Sequence, residues 1–215
     1  NEFIHLYNYN PIEHIKSRLK TPESIVKKLK GDGHEVTIEN MVEKLSDIAG
    51  IRIICSFTQD IYKIADMVAR QKDVTVLYVK DYIKQPKPNG YKSYHMLVSV
   101  PIFLSDSVVD TKVEIQIRTI AMDFWASLEH KIYYKFEGNA PDYISRDLRE
   151  CAKMVSELDE KMLQLNEAIQ ECILKESDRE RLEGVCRDVI GSREEQKLMS
   201  AESAAEDPKK EDQKG

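Results

Sequence analysis

The sequence predicts an α+β protein in which helices flank a mixed β-sheet. Short runs rich in β-branched residues, such as residues 51–57, are typical of buried strands. Segments with helical periodicity lie between these runs, and no regular βαβ repeat connects them. The chain has 215 residues, of which 41% are hydrophobic. This is enough to bury a core without disulfide or metal support.

The predicted elements begin with a helical segment at residues 11–30, which is broken at Thr21-Pro22. Thr21 is the expected N-cap and Pro22 the expected first residue of the second helical part. A short helix capped by Thr37 is expected to follow, with Asn40 placed to reach back to its start. The remaining predictions are strand 51–57, helix 59–70, strands 74–82, 94–103 and 112–117, and helix 119–134.

The chain divides by composition into a folded region at 1–140, a helical region at 141–191 and a polar tail at 192–215 that we expect to be disordered. Within the helical region, a single helix is predicted over 141–176. It carries an apolar seam with alternating steps of four and three, formed by Ile144, Leu148, Cys151, Val155, Leu158, Met162, Leu165, Ile169 and Cys172. The seam either docks on its own domain or pairs helices between subunits, and the sequence leaves both interpretations open.

Charge and cysteine usage exclude several classes of protein. The chain has 32 Lys and Arg against 38 Asp and Glu, a formal net charge of −6, which argues against a dedicated DNA-binding protein. No apolar run reaches the roughly 18–20 residues of a membrane span. The four cysteines lack the spacing of a zinc site and are typical of a reducing compartment. We therefore expect a cytoplasmic protein with neither DNA nor a membrane as partner.

Two acidic residues stand where a metal could bind. Asp47 lies just before the first apolar strand, and Glu114 lies inside the last predicted strand. Alternation places Glu114, Gln116 and Arg118 on one face of that strand and its apolar residues on the other. Two carboxylates beside neighbouring strands suit Mg²⁺ that also holds phosphate oxygens. An ordinary exposed face of the sheet is the alternative interpretation.

Two basic clusters could hold phosphate groups. Residues 80–95 combine four lysines with tyrosines and a histidine around a glycine turn, where a ring could stack on a base. Residues 18–28 place basic side chains near a predicted helix start. A solvated hairpin and an ordinary basic helix face are the alternative interpretations of these two clusters.

Five motifs, in this order, make the sequence resemble the RelA/SpoT-type alarmone synthetases, most closely the small single-domain members. They are R-x-K-x-x-x-S-I-x-x-K at 18–28, D-I-A-G-I-R-I-I-C at 47–55, K-D-Y-I-x-x-x-K-x-x-G-Y-x-S-Y-H at 80–95, V-E-I-Q-I-R-T at 113–119 and F-W-A-S-L-E-H-x-x-Y-Y-K at 124–135. No H-D pair typical of the hydrolase domain of the long relatives is present, so the resemblance implies a synthetase without hydrolase activity. It also implies a further helix before residue 1.

The resemblance implies a nucleotidyltransferase-like fold and a Mg²⁺-dependent (p)ppGpp synthetase, or GTP diphosphokinase, of the stringent response. Such an enzyme transfers the β,γ-pyrophosphate of ATP to the 3′-hydroxyl of GTP or GDP. By motif position, the catalytic metal-binding acids are Asp47 and Glu114. The ATP-binding positions are Arg18, Lys20, Ser24, Lys28 and Arg52. The GTP- or GDP-binding positions are Lys80, Lys87, Tyr91, His95, Gln116 and Glu129, with Tyr91 stacking on guanine.

The resemblance makes residues 1–140 the expected catalytic domain and residues 141–191 the expected oligomerisation region, since small alarmone synthetases commonly form homotetramers. Two alternatives remain open. One is a toxin-type synthetase that pyrophosphorylates the 3′ end of tRNA, against which the acidic net charge and the complete motif around Tyr91 argue. The other is a catalytically dead helical assembly module, against which the intact Asp47 and Glu114 argue.

Overall fold

The computed structural model of the chain describes residues 9–135 and 141–205, and it confirms the predicted α+β class. Strands and helices are interspersed along the chain without a repeating unit. In order they are β1 (Ile12–Leu19), α1 (Pro22–Gly31), α2 (Ile38–Lys44), β2 (Ala49–Cys55), α3 (Thr58–Ala69), β3 (Thr75–Asp81), β4 (Tyr94–Phe103), β5 (Val108–Thr119), α4 (Ile120–Lys135) and α5 (Asp142–Ala205).

The five strands form one mixed sheet in the order β1-β2-β5-β4-β3. β2 and β5 run parallel, whereas the other neighbouring pairs are antiparallel. Residues paired across neighbouring strands point to the same face of a sheet. One such row crosses all five strands and consists of Lys16, Arg52, Gln116, His95 and Lys80. The sheet therefore has one face with a continuous polar row.

The opposite face of the sheet forms the hydrophobic core with α3. Ile53 of β2 and Ile115 and Ile117 of β5 are at most 6% exposed, and they cluster with Ile61 and Ile64 of α3. The predicted division of β5 into an apolar and a polar face is thus confirmed. Because α3 covers the apolar face, the polar face is left for a ligand site.

β1 differs from the sequence prediction, which extends a helix over residues 11–20. The structure instead pairs Ile12–Leu19 with β2 as an antiparallel edge strand. Most of its side chains are exposed, so the strand lacks the alternation of buried residues that identifies a strand from sequence. The helix after the break is confirmed: Pro22 begins α1, and the N–H of Ser24 donates to Thr21 Oγ1 at 3.3 Å. The Thr37 cap of α2 is confirmed in the same way by the N–H of Asn40.

The chain divides into two compact units, one up to Leu163 and one from Gln164. α5 begins in the first unit and continues to Ala205, so a helix occupies residues 192–205, where the sequence predicts disorder. Residues 206–215 lie outside the described residues. Among the described residues, no helix is long and apolar enough to cross a membrane.

The apolar seam of α5 faces two different surroundings within the first unit. Leu148 and Val155 pack on Trp125 of α4, whose Nε1 donates to the carbonyl of Leu148 at 3.0 Å. In contrast, Leu158 is 59% exposed and Met162 is 50% exposed. The start of the seam therefore docks on its own domain, and the following part does not.

Candidate active site

Two pockets on the polar face of the sheet meet at Glu114. The first pocket, of about 260 Å³, lies between β1, β2 and β5, and its walls include Lys16, Arg18, Asp47, Arg52, Glu114 and Gln116. The second, of about 140 Å³, lies over β3 and β4, and its walls include Tyr78, Lys80, Tyr82, Lys87, His95 and Glu114. A larger cavity, of about 300 Å³, lies beside α4 and α5 and shares no lining residue with these two. Glu114 is thus the common wall of two cation-rich pockets.

Asp47 is held by two lysines at the edge of the first pocket. Lys20 directly follows β1, and its N–H donates to the carbonyl of Ile48 at 2.8 Å, which places it beside the start of β2. Its Nζ lies 2.6 Å from Asp47 Oδ2, and Lys28 Nζ of α1 lies 2.9 Å from Asp47 Oδ1. Burial favours the neutral carboxyl, but the hydrogen bonds and charges of the two lysines outweigh it and lower the pKa of Asp47. Asp47 is therefore ionised at neutral pH.

Glu114 is held by two donors from the same face of the sheet. His95 Nδ1 lies 3.2 Å from Glu114 Oε1, and Gln116 Nε2 donates to Oε2 at 3.0 Å. The hydrogen bond from His95, with its charge and the hydrogen bond from Gln116, lowers the pKa of Glu114, although burial and the charge of Asp47 act in the opposite direction. Both carboxylate oxygens are thus fixed in direction, and Glu114 is ionised at neutral pH.

Arg52 has one side-chain donor without a partner among the described residues. Its Nη1 pairs with Asp123 Oδ1 of α4 at 3.2 Å. Its Nε is buried and has no hydrogen-bond partner in the described part of the chain. A buried donor of this kind is costly unless a ligand satisfies it. Arg52 therefore marks the first pocket as a site for an anion.

The second pocket combines aromatic rings with a lysine. Lys87 Nζ lies 4.9 Å from the centroids of both the Tyr82 and the Tyr91 rings. The hydroxyl of Tyr91 lies 2.8 Å from His95 Nε2, and the Tyr82 ring meets His95 edge to face. The turn between Lys87 and Tyr91 closes at Gly90, whose φ of +91° suits a glycine. Such a set of rings and cations suits a base with attached phosphates.

The structure places seven further predicted site residues in the walls of these pockets besides Glu114: Arg18, Asp47, Arg52, Gln116, Lys80, Lys87 and His95. Lys20 and Lys28 reach the first pocket only through Asp47, and Tyr91 reaches the second only through Lys87 and His95. Three positions differ from the expectation. Ser24 bonds locally to Thr21 at the start of α1 and lines neither pocket. Gln116 lines the first pocket rather than the second. Glu129 lines neither pocket and accepts a hydrogen bond from Asn89 at 3.1 Å.

Sequence reasoning missed Lys16 and Tyr78 among the pocket walls and Asp123 behind them. It placed Tyr82 in the cluster at 80–95 and Arg118 on the polar face of β5, but gave neither a role in the site. Lys16 lies two residues before Arg18, so both are on the same face of β1. The prediction of a helix over this segment concealed that relationship. Tyr78 likewise lies two residues before Lys80 along β3.

Asp47 and Glu114 form a donor set that fits a magnesium ion. They line the same pocket, and both offer oxygen ligands in the ionised form. No group of three or more His, Cys, Asp or Glu that could hold a metal occurs in the described residues. Mg²⁺ usually takes only one or two protein carboxylates and completes its octahedron with water and substrate phosphates. Two carboxylates beside an anion pocket are consistent with this mode.

The fold and this site define a nucleotide-binding protein with an α+β fold, and comparison with known proteins gives its family. The family described as a region found in RelA / SpoT proteins matches residues 17–139. GTP pyrophosphokinase YwaC of Bacillus subtilis is 50% identical over 168 residues, covering 78% of this chain and 80% of that protein. The chain therefore belongs to the RelA/SpoT family, as its five motifs indicate.

Solved structures from this family share the fold. Small alarmone synthetase 1 from Bacillus subtilis bound to its product pppGpp has a TM-score of 0.72 and 36% identity, covering 79% of this chain and 86% of that one. The same synthetase bound to AMPCPP has a TM-score of 0.66 and 32% identity, covering 79% of this chain and 85% of that one. The mixed sheet with flanking helices is therefore the fold of small alarmone synthetases.

Proposed function

We propose that this chain is a (p)ppGpp synthetase that transfers the β,γ-pyrophosphate of ATP to the 3′-hydroxyl of GTP or GDP. The observation that carries the proposal is the position of Glu114 as the common wall of two cation-rich pockets. A transfer between two nucleotides requires two anion sites that meet where the bond forms. The name of its relative, GTP pyrophosphokinase, and the nucleotides bound to two related structures support the same reaction.

The first pocket is the proposed ATP site. Arg18 and Arg52 line it, and Arg52 Nε has no hydrogen-bond partner in the described part of the chain. Lys20 and Lys28 lie at the edge of this pocket, where both form ion pairs with Asp47. Ser24 keeps its family position, and its local bond to Thr21 suggests that it stabilises the start of α1 beside this site. Positive charge around the triphosphate lowers the cost of bringing two polyphosphates together.

The second pocket is the proposed acceptor site. Lys80 and Lys87 line this pocket and supply charge for the phosphates of GTP or GDP. The Tyr91 ring, whose centroid lies 4.9 Å from Lys87 Nζ, supplies a surface for guanine beside the pocket. His95 links Tyr91 to Glu114 and so connects the base site to the reacting end. Gln116 orients Glu114, and Glu129 orients the turn through Asn89.

In the proposed reaction the acceptor 3′-oxygen attacks the β-phosphorus of ATP, and the bond from that phosphorus to the α,β-bridging oxygen breaks. AMP leaves, and Glu114 takes the proton of the 3′-hydroxyl. Asp47 and Glu114 would hold Mg²⁺, which when bound supplies neutralising charge for the phosphate oxygens. No covalent enzyme intermediate is needed, since the cationic pockets position both reactants.

We also propose that the protein is a homotetramer in which the exposed part of the α5 seam lies at an interface. Leu158, Met162, Leu165 and Ile169 are each about half exposed or more. An apolar stripe of this length in water favours association with another copy. Because Leu148 and Val155 already pack on the domain, the interface would begin beyond them.

A nucleotide assay tests the proposed reaction. The full chain is incubated with Mg²⁺, GTP and ATP labelled in its γ-phosphate, and the products are separated by anion exchange. The expected result is equimolar AMP and a labelled nucleotide with two more phosphates than GTP. A parallel reaction with tRNA instead of GTP tests the other class of acceptor. Label found only on tRNA, or no transfer to either acceptor, would contradict the proposal.

A further inference from the structure

Arg118 and Asp123 form a buried ion pair behind the two pockets. Arg118 ends the polar face of β5, and Asp123 lies in the first turn of α4. Arg118 Nη1 lies 2.9 Å from Asp123 Oδ1, and the two side chains are 5% and 15% exposed. The same oxygen of Asp123 lies 3.2 Å from Arg52 Nη1 of the proposed ATP site. One carboxylate thus balances two guanidinium groups.

Arg118 uses all three of its nitrogens. Besides the bond to Asp123, its Nη2 donates to the Tyr91 hydroxyl at 2.6 Å and to Gln116 Oε1 at 3.1 Å. Its Nε donates to Ser93 Oγ at 3.3 Å. The guanidinium carbon also lies 5.1 Å from the centroid of the Tyr91 ring. The rigid planar fork of arginine satisfies these partners together, and a lysine ammonium has no equivalent geometry.

Two hydrogen-bonded routes lead from Arg118 to Glu114. Arginine cannot accept a hydrogen bond, so the Tyr91 oxygen and Gln116 Oε1 are the acceptors. The Gln116 amide then presents its Nε2 to Glu114. On the other route Tyr91 bonds to His95 Nε2, and His95 Nδ1 bonds to Glu114. The direction of each bond at Glu114 is therefore set by Arg118.

We infer that Arg118 and Asp123 are positioning residues that hold the Tyr91 side of the acceptor site and Arg52 of the ATP site in one fixed arrangement. Arg118 orients the guanine site through the Tyr91 hydroxyl, and Asp123 joins this network to Arg52. The inference rests on the proposed function. A ring that only stacked on guanine would need no hydroxyl, whereas this network makes the hydroxyl part of the site.

Nucleotide binding without turnover gives the first test. Arg118→Lys keeps the charge but loses the forked geometry of the guanidinium group. The dissociation constant for GTP should therefore rise about tenfold, which corresponds to the loss of one hydrogen bond to a charged group. The dissociation constant for AMPCPP should change less than about twofold, because Asp123 still holds Arg52. Calorimetry measures both. The matched control is Arg70→Lys, which alters the exposed Arg70–Asp66 pair of α3 and should change neither constant.

Asp123→Asn should weaken both nucleotides, because it removes the charge shared by Arg52 and Arg118. Its control is Asp66→Asn on α3. If Asp123→Asn weakens one nucleotide only, Asp123 does not join the two sites and that half of the inference is overturned. Thermal melting of each variant shows whether the protein remains folded.

A double-mutant cycle identifies the route of the effect. Tyr91→Phe should itself raise the GTP dissociation constant severalfold, and adding Arg118→Lys should then cost much less than it does in the wild type. Unchanged GTP binding in Tyr91→Phe overturns the inference, even if Arg118→Lys does not fold. A wild-type chain that binds no GTP overturns the proposed function itself, so the two failures are distinguishable.

Discussion

The Nζ atom of Lys20 lies 2.6 Å from Oδ2 of Asp47, so a proposed ATP-binding residue forms an ion pair with a proposed metal-binding residue. Lys28 occupies the other oxygen of Asp47 at 2.9 Å. In the proposed reaction both lysines leave Asp47 when ATP binds and pair with its phosphate oxygens instead. Asp47 thus keeps two cations at the edge of the pocket while no nucleotide is bound.

Asp47→Asn should reduce turnover by a factor of about 10²–10⁴, since it removes one charged group from the transition-state site. The amide keeps the size of the side chain, so the fold should persist in circular dichroism. Steady-state assays with ATP and GTP measure the effect, and Asp66→Asn, at an exposed position of α3, is the control. Turnover near the wild-type rate would rule out the proposed role of Asp47.

Tyr91→Ala should raise the KM for GTP about 10- to 100-fold, because stacking of an aromatic ring on a base is worth about 1–3 kcal/mol. The KM for ATP should change little, since Tyr91 lies on the acceptor side of Glu114. Tyr143→Ala, an exposed tyrosine of α5, is the control. Equal changes for both substrates would show that Tyr91 supports the fold rather than the base.

Gly90→Ala should disturb the turn that carries Lys87 and Tyr91. A Cβ at Gly90 would lie 2.5 Å from the Cβ of Ala152 on α5, and its φ is +91°. We expect a loss of about 1–3 kcal/mol in unfolding free energy and a raised KM for GTP. Gly33→Ala is a matched control with φ of +76° and nothing within 4 Å of its Cβ. If both variants lose equal stability, the contact with Ala152 has no effect.

Asp159→Asn should stabilise the protein at neutral pH. Burial raises the pKa of Asp159, although the bond from Thr119 and the charge of Lys92 oppose it. A raised carboxyl pKa favours the folded state below the unfolded value of about 4, and that contribution is lost as pH rises through the folded value. The gain in melting temperature from Asp159→Asn should therefore be larger at pH 7 than at pH 4. A gain that falls as pH rises would contradict the assignment.

Replacing Leu158 and Met162 together by Glu should dissociate the proposed tetramer into folded subunits. Both side chains are exposed in the single chain, so the charges should not disturb its core. They would be buried in the proposed interface at a high desolvation cost. Light scattering measures the mass, with Lys161→Glu and Gln164→Glu together as control. A wild-type monomer at micromolar concentration would refute the tetramer.

The sequence determined the features that depend on neighbouring residues. Thr21 and Thr37 cap α1 and α2 as predicted, because a cap needs only a hydroxyl one turn before a free N–H. The alternation of Glu114 with Ile115 also divides β5 between a polar and an apolar face. These properties follow from backbone periodicity over a few residues.

Only the tertiary structure decided which distant residues meet. β1 is a strand because β2 pairs with it, and its exposed side chains carried no local sign of that partner. The parallel pairing of β2 with β5 sets Gly50 beside Glu114 and so brings Asp47 to the same pocket. The return of α4 onto the sheet joins Asp123 to Arg52 of β2. Long-range pairing fixes these contacts, and no spacing along the chain encodes the distance between them.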